Sequence, residues 1–390
     1  MIPTSLTGLM RWLIFQCDNN VKYINIQLVM KKISVIFAAL ALLAASCTKT
    51  EVVSSDVQSS QRGIGFSAYT AKPTKAAQTD VTNGDFDSFK VSAIGNRAVY
   101  FDDVTFSKNG EGVWASTPVY FWPAYALNFY AYNKPVNGEF TPTINTTSQT
   151  LTFTPSTTLT EQEDLVAASA TNQTQPISGA TALNFNHYLT QIVVKALNTN
   201  PTYSVDVAGV KIAHMKNKVE YTFSSNTAAV ATDAADETYS SVFTAKTLTA
   251  DAQEVMTAST GNKWYLVPQT VTAWDKATES TNSSKKTYLA LKVKITANGG
   301  ALRIYPATGE EYAWMAIPLS QTFSQGHKYT FVVKFFENDG AGNVDPETPG
   351  DLDGNGNAND DNGKSIIGGA ITFNADVSTW APETVITIDL

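Results

Sequence analysis

Short runs in which apolar and polar residues alternate recur from residue 64 to the end of the chain. They are rich in Val, Ile, Thr, Tyr and Phe, and Gly, Asn, Asp or Pro bounds each of them. An alternation with a period of two puts one face of a β-strand in a core and the other in water. Examples are IGFSAY (64–69), FKVSAI (89–94), TQIVVKAL (190–197), TYLALKVKI (287–295) and KYTFVVKFF (328–336). Strands of this length and spacing predict an all-β protein built from β-sandwiches.

A different pattern precedes the strands, because an unbroken run of apolar and small residues, 33–46, follows two lysines. This run is shorter than the ~20 residues that a membrane-spanning helix needs. The lysines, the short apolar run and the small residues before Cys47 are typical of a lipoprotein signal peptide. We therefore interpret residues 30–46 as the signal peptide and Cys47 as the lipidated N-terminus of the mature chain, anchored in a membrane by its acyl chains. The alternative is that Cys47 is an ordinary buried cysteine.

Met30 opens a complete signal peptide by itself, so residues 1–29 are interpreted as a non-native upstream extension. Cys17, which is the other cysteine of the chain, lies in this extension. No disulfide is therefore expected in the mature chain, and its stability must come from its core.

The chain is acidic, with 35 acidic and 27 basic residues and a formal net charge of −8 at pH 7. The sequence has no basic stripe, so nucleic acid is not an expected partner. Its three histidines are dispersed without the spacing of a metal site, and it has no Gly-x-Ser-x-Gly motif. We therefore predict that the protein is not an enzyme, and no residue is assigned a catalytic role.

The segment 337–363 holds eight carboxylates and no basic residue, which predicts a mobile loop that projects from the core. Part of it, DLDGNGNANDDN, matches the ligand positions of a calcium loop, although Asn362 stands where such a loop has glutamate. The resulting candidates for weak calcium binding are Asp351, Asp353, Asn355, Asn357 and Asn359. The alternative is a plain acidic linker, and no other cofactor is expected.

The succession of segments is more specific than any one of them. In chain order, the segments that carry the resemblance are IGFSAYTAKPTKA, FKVSAIG, VWASTPVYFWPAYALNFYAY, EDLVAASA, ALNFNHYLTQIVVKA, VAGVKI, WYLVPQT and MAIPLSQTFSQGHKYTFVVKF. Behind a lipoprotein signal peptide, this order resembles the fimbrillin-like lipoproteins, which are subunits of type V pili and minor fimbriae of Gram-negative anaerobes. The resemblance runs from Ile64 to the C-terminus.

The resemblance implies two transthyretin-like β-sandwich domains in tandem, which we place at 63–178 and 179–390 because the polar stretch NQTQPISG separates two strand-rich blocks. It also implies an outer-membrane lipoprotein at the cell surface, whose partners are other fimbrial subunits and a host or bacterial surface ligand. In stalk subunits of the family, an arginine- or lysine-specific protease removes an N-terminal strand, and a strand from another subunit fills the groove by β-augmentation.

On this chain, the removable piece corresponds to residues 47–62, where Arg62 is the only arginine and the candidate processing site. Lys49, Lys72 and Lys75 compete with it, and Arg62 could equally be a surface charge before a strand. The candidates for the donated strand are Trp380, Val385, Ile386 and Ile388. The C-terminal segment could instead complete its own domain.

The aromatic stretch VYFWPAYALNFYAY is interpreted as part of a sandwich core, because alternate members of adjacent strands usually face inward. An exposed arrangement of the same rings could stack on sugars. The alternative function is therefore a monomeric, surface-anchored lipoprotein that binds glycans.

Overall fold

A computed structural model of the chain describes residues 62–70, 87–110, 112–275, 286–368 and 371–379. Cys47 and the four donor candidates lie outside these residues, so their roles stay predictions. The described residues form 24 strands and three short 3-10 helices, and no helix among them is long and apolar enough to cross a membrane. The 3-10 helices are Leu159–Glu161, Asn298–Gly300 and Ala358–Asp361.

The strands are β1 (Gly65–Thr70), β2 (Ser88–Gly95), β3 (Ala98–Lys108), β4 (Trp114–Ser116), β5 (Leu127–Tyr132), β6 (Glu139–Ile144), β7 (Gln149–Thr154), β8 (Val166–Gln173), β9 (Thr181–His187), β10 (Thr190–Asn198), β11 (Tyr203–Lys216), β12 (Val219–Thr222), β13 (Thr227–Val230), β14 (Asp236–Thr247), β15 (Gln253–Glu254), β16 (Trp264–Leu266), β17 (Thr270–Val271), β18 (Tyr288–Ala297), β19 (Leu302–Tyr305), β20 (Ala313–Pro318), β21 (Gln321–Thr322), β22 (His327–Phe335), β23 (Asn343–Val344) and β24 (Thr372–Thr379). The predicted all-β class is confirmed.

The N-terminal sheet closes on itself in the order β1-β4-β3-β2-β5-β8-β9. It closes because β1 pairs with β4 on one side and with β9 on the other. Alternate side chains of these strands point inward and form an aromatic core that includes Phe66, Phe106 and Phe129.

Two further sheets pack around a second core. One has the order β15-β10-β22-β24, and β16 also pairs with β10; the other has the order β14-β11-β18-β20-β23, and β19 also pairs with β18. β10 and β22 run parallel over eight residue pairs. Apolar side chains from both sheets, among them Val194, Phe331, Leu291 and Met315, belong to one buried cluster.

A fourth sheet, β13-β12-β7-β6, combines strands from both sides of the predicted domain boundary at 178/179. β9, which follows that boundary, belongs to the N-terminal sheet. A third buried cluster joins Tyr132 of β5 to Leu151 of β7 and Tyr221 of β12. The small pair β17-β21 completes the described sheets. The division into two transthyretin-like domains stays a prediction.

The expectation that segment 337–363 projects without burying anything is wrong. Ala341 and Val344 are fully buried against the second core, and β23 pairs with β20. The carboxylate of Asp345 is also fully buried. The segment packs because side chains far away in the sequence compensate its charges, as Lys211 does for Asp345.

Candidate functional site

β1 is held unequally by its two neighbours. It forms five parallel residue pairs with β9 and only two antiparallel pairs with β4. Parallel pairing is slightly less stable per residue than antiparallel pairing. The attachment of β1 therefore depends strongly on the side chains that it inserts into the N-terminal core.

Those side chains alternate along the strand. Ile64, Phe66 and Ala68 are 2%, 0% and 8% exposed, and they point into the core. The ring of Phe66 makes edge contacts with Phe106 and Phe129, with centroids 4.8 and 5.0 Å away. Such contacts add to the free energy that the burial of the ring itself supplies. β1 therefore fills the centre of the core, and its removal would leave an apolar groove between β4 and β9.

The structure places Arg62 immediately before β1. Its guanidinium Nη1 donates to the carbonyl of Ile177 at 2.8 Å, and its own carbonyl accepts the N–H of Trp122 at 3.2 Å. The side chain is exposed, and the processing role of Arg62 stays a prediction. Because β1 follows Arg62, however, a cut at this residue would leave β1 joined to the rest of the chain.

The aromatic stretch is largely core, in agreement with its interpretation. Trp122, Phe129 and Tyr132 are buried. Phe121 and Tyr125, in contrast, are 45% and 38% exposed. The exposed rings lie in the connection between β4 and β5, whereas the rings of β5 itself are buried.

The C-terminal strand β24 pairs with β22 inside the same chain, from Lys334↔Thr372 to His327↔Thr379. It lies at the edge of its sheet, and Phe373 packs 5.6 Å from Phe331. The strand that directly precedes the donor candidates thus completes a sheet of its own chain. The donor candidates themselves follow β24, outside the described residues.

A buried ion pair, which the sequence did not predict, fastens the acidic segment to the sheet that contains β11. Lys211 of β11 is 5% exposed, and its Nζ lies 2.8 Å from Oδ2 of Asp345. The ammonium also donates to Oγ1 of Thr348 and lies over the rings of Tyr288 and Trp314. Two backbone N–H groups of the segment donate to Oδ1 of Asp345. Loss of either partner would leave the other charge buried and unpaired.

Glu347 continues this network toward the surface. Its Oε1 lies 3.0 Å from Nε2 of His214, and its Oε2 accepts the hydroxyl of Tyr288 at 3.0 Å. The hydrogen bond from His214 is the main reason that the pKa of Glu347 falls to about 2, and Tyr288 and Lys211 lower this pKa further. Glu347 therefore stays ionised through the whole neutral and mildly acidic range.

Farther along the segment, the structure brings two of the predicted calcium ligands, Asp351 and Asp353, together with Asp361. Ligand atoms of these three carboxylates lie within 4.8 Å of one another. Asp351 and Asp361 are buried, whereas Asp353 is exposed. Sequence reasoning missed Asp361 because it considered position 12 of the loop, which is Asn362. A signal was present in the sequence, since Asp361 is the adjacent acid.

The other predicted ligands are engaged within the loop. The amide of Asn355 donates to Asp353 and accepts the N–H of Asn357, which in turn donates to Asp360. Asn359 lies in the third 3-10 helix.

A lysine competes for the carboxylate cluster. Nζ of Lys364 lies 2.9 Å from Oδ1 of Asp361, and this hydrogen bond raises the pKa of Lys364. The pKa of Asp351 is lowered, first by a hydrogen bond from Thr308 and then by backbone N–H groups of the loop. A cation at the cluster would therefore compete with the ammonium that already contacts Asp361.

A family model described as fimbrillin-like matches residues 59–348. The chain belongs to the fimbrillin-like family. Proteins of this family are fimbrial and adhesive structural proteins rather than enzymes, and they act at the cell surface. This fimbrillin-like chain has no match among the curated proteins.

Several solved structures are similar to this fimbrillin-like chain. A candidate cell adhesion protein from Bacteroides uniformis has 12% identity and a TM-score of 0.45, covering 82% of this chain and 99% of its own. A candidate cell adhesion protein from Parabacteroides distasonis has 11% identity and a TM-score of 0.46, covering 83% and 97%. The fimbrial anchor protein Mfa2 from Porphyromonas gingivalis has 10% identity and a TM-score of 0.29, covering 70% and 91%.

Proposed function

We propose that this fimbrillin-like chain is a structural and adhesive subunit of a cell-surface fimbria. It is exported as an outer-membrane lipoprotein through Cys47 and joins other subunits by β-strand exchange after proteolysis. Membership of the fimbrillin-like family supports the fimbrial role. The observation that carries the exchange step is the attachment of β1, which inserts Phe66 into the core but forms only two residue pairs with β4.

The placement of β1 also bears on the position of the cut. A cut at Arg62 separates residues 1–62 and leaves β1 in the subunit. A cut at Lys72 or Lys75, which follow β1 in the sequence, would separate β1 from the rest of the chain. The proposal therefore assigns the activating cut to one of these two lysines and retains Arg62 as a site that trims the N-terminus.

The vacated groove has the character that a donated strand requires. Its floor would be the side chains that now contact β1, which include Phe89, Phe106 and Phe129. A donated strand must offer alternate apolar residues to this floor and ladder hydrogen bonds to β4 and β9. The C-terminal residues Trp380, Val385, Ile386 and Ile388 are the proposed donors, since they follow the last described strand.

The test compares two proteases on the chain from Ser54 onward. After digestion with an arginine- or a lysine-specific protease, mass spectrometry locates the new N-terminus, and unheated SDS gels report multimers. We expect the lysine-specific product to lack β1 and to form SDS-resistant multimers, and the Arg62 product to retain β1 and stay monomeric. The double variant Lys72→Ala, Lys75→Ala is the matched control and should stay monomeric with either protease.

Two results would change the proposal. If the Arg62 product formed the same multimers, the removable piece would be residues 47–62 rather than β1. If a product that has lost β1 stayed monomeric at high concentration, strand exchange would be refuted, and the monomeric glycan-binding lipoprotein would become the better account.

A further inference from the structure

A cleft of about 440 Å³ lies between the turn that joins β19 to β20 and the acidic segment. Its volume falls in the range of about 300–1,000 Å³ that is usual for small-molecule sites. Trp314 of β20 points away from the second core, whereas its neighbour Met315 points into it, so this side of the sheet faces the cleft. The residues that line the cleft include Lys292, Glu310, Tyr312, Trp314 and Asp351.

Several polar groups in this cleft have no partner within the described part of the chain. The ammonium of Lys292, the hydroxyl of Tyr312, the indole N–H of Trp314 and the carboxylate of Glu310 make no hydrogen bond or ion pair with another described residue. Donors and acceptors left without protein partners, beside aromatic rings in a concave site, are the features with which a protein orients a polar ligand.

Trp314 is held in place before any ligand arrives. Nζ of Lys211 lies 4.9 Å from the centroid of its ring, and the ion pair with Asp345 fixes that ammonium. Nζ of Lys294 lies 5.0 Å from the ring of Tyr312 in the same way. Ordered aromatic rings lose little conformational entropy when a ligand stacks on them. The cleft thus presents two oriented aromatic walls.

The charges of the cleft narrow the chemistry of the ligand. Among the residues that line the cleft, Glu310 and Asp351 oppose the single cation of Lys292. Of the charges behind this lining, Asp353 and Asp361 face the one ammonium of Lys364, Lys211 is paired with Asp345, and Lys294 is paired with both Asp206 and Glu311, so the balance stays negative. This negative balance repels phosphates, sialic acids and anionic lipids. An acyl chain would in turn leave the unpartnered donors and acceptors without hydrogen bonds.

We infer that this cleft binds an uncharged oligosaccharide, with a sugar ring stacked on Trp314 or Tyr312 and its hydroxyls bonded to Lys292 and Glu310. A pyranose fits because its C–H face is apolar and its edge carries hydroxyls that both donate and accept. The inference rests on the proposed adhesive function and names the class of ligand that the subunit would bind.

The test probes the full chain on an array of neutral, amino-containing, sialylated and sulfated oligosaccharides, followed by calorimetry with the best neutral compound. We expect neutral glycans to bind better than their sialylated counterparts. Trp314→Ala should weaken the binding by about tenfold or more, as expected when an aromatic anchor is removed. Trp314→Phe should restore part of it, because the flat ring returns without the N–H. Lys292→Gln removes no hydrogen bond or ion pair to a described residue, so it should weaken binding without unfolding the protein.

The matched control is Tyr125→Ala, which removes a 38% exposed ring from the connection before β5. It should leave binding unchanged. The inference is overturned if the array shows no neutral ligand, if sialylated or sulfated glycans bind best, or if Tyr125→Ala rather than Trp314→Ala abolishes binding. Lysine-specific cleavage separates the two proposals. We expect the cleaved Trp314→Ala variant to form SDS-resistant multimers although it no longer binds the glycan. If the unmodified chain forms multimers but binds no neutral glycan, the cleft proposal is refuted and the fimbrial role is unaffected.

Discussion

Replacement of Phe66 by alanine tests how firmly β1 is docked. The Phe66 ring is 0% exposed and contacts three other rings, those of Phe89, Phe106 and Phe129. Truncation of a buried phenylalanine to alanine costs about 3–5 kcal/mol, and the two close edge contacts favour the upper part of that range. A whole domain is stable by about 5–15 kcal/mol, so this single change would remove a large share of the stability of the N-terminal sheet.

The assay is urea unfolding followed by tryptophan fluorescence. Trp114 and Trp122 belong to the same core as Phe66 and report on it, whereas Trp264 belongs to the second core. We expect Phe66→Ala to move the transition of the N-terminal sheet to lower urea, with a loss of about 4 kcal/mol. The control Phe121→Ala removes a ring that is 45% exposed, and it should cost less than about 1 kcal/mol.

A loss below about 1 kcal/mol in Phe66→Ala, or one equal to that of Phe121→Ala, would refute the docking of β1 in the native protein. A loss of the expected size would have a second consequence. Because the change weakens the docking of β1, the variant should also replace β1 by a donated strand faster than the unmodified chain once both have been cut at Lys72 or Lys75.

Three other predictions concern the acidic segment. Lys211→Met should destabilise the protein by about 3–5 kcal/mol in urea unfolding, because it leaves the Asp345 carboxylate buried and unpaired, whereas Lys211→Met with Asp345→Leu should restore most of the loss; equal losses in the two variants would contradict the ion pair. The pKa of Glu347 is about 2 in the folded chain and lies below its unfolded value, so its contribution to stability is present above about pH 4.5 and is lost as the pH falls toward 2. His214→Ala should flatten that part of the pH–stability curve, and an unchanged curve would contradict the hydrogen bond. Calcium should give only weak, millimolar-range heats in calorimetry, Asp353→Asn should abolish them, and no heat at several millimolar calcium would remove the site.

The strands could be predicted from the sequence, because a period of two needs only neighbouring residues. IGFSAY at 64–69 became β1 at Gly65–Thr70, and TYLALKVKI became β18. The acidic segment could not be predicted correctly, because its packing depends on Lys211, more than 100 positions away from Asp345. The composition of the segment shows eight carboxylates and no basic residue. The ammonium of Lys211 comes close to Asp345 only in the folded chain.

The same limit explains the cleft and the groove. In the sequence, Trp314 is one more apolar residue of a predicted strand. It is partly exposed because the second core covers the other face of β20. The sequence of β1 resembles that of any other strand. Its parallel pairing with β9, more than 100 residues later, and its short pairing with β4 follow only from the fold. The groove and the cleft lie on different sheets and share no residue. Assembly and ligand binding can therefore be disrupted by separate substitutions, and a variant that loses one should retain the other.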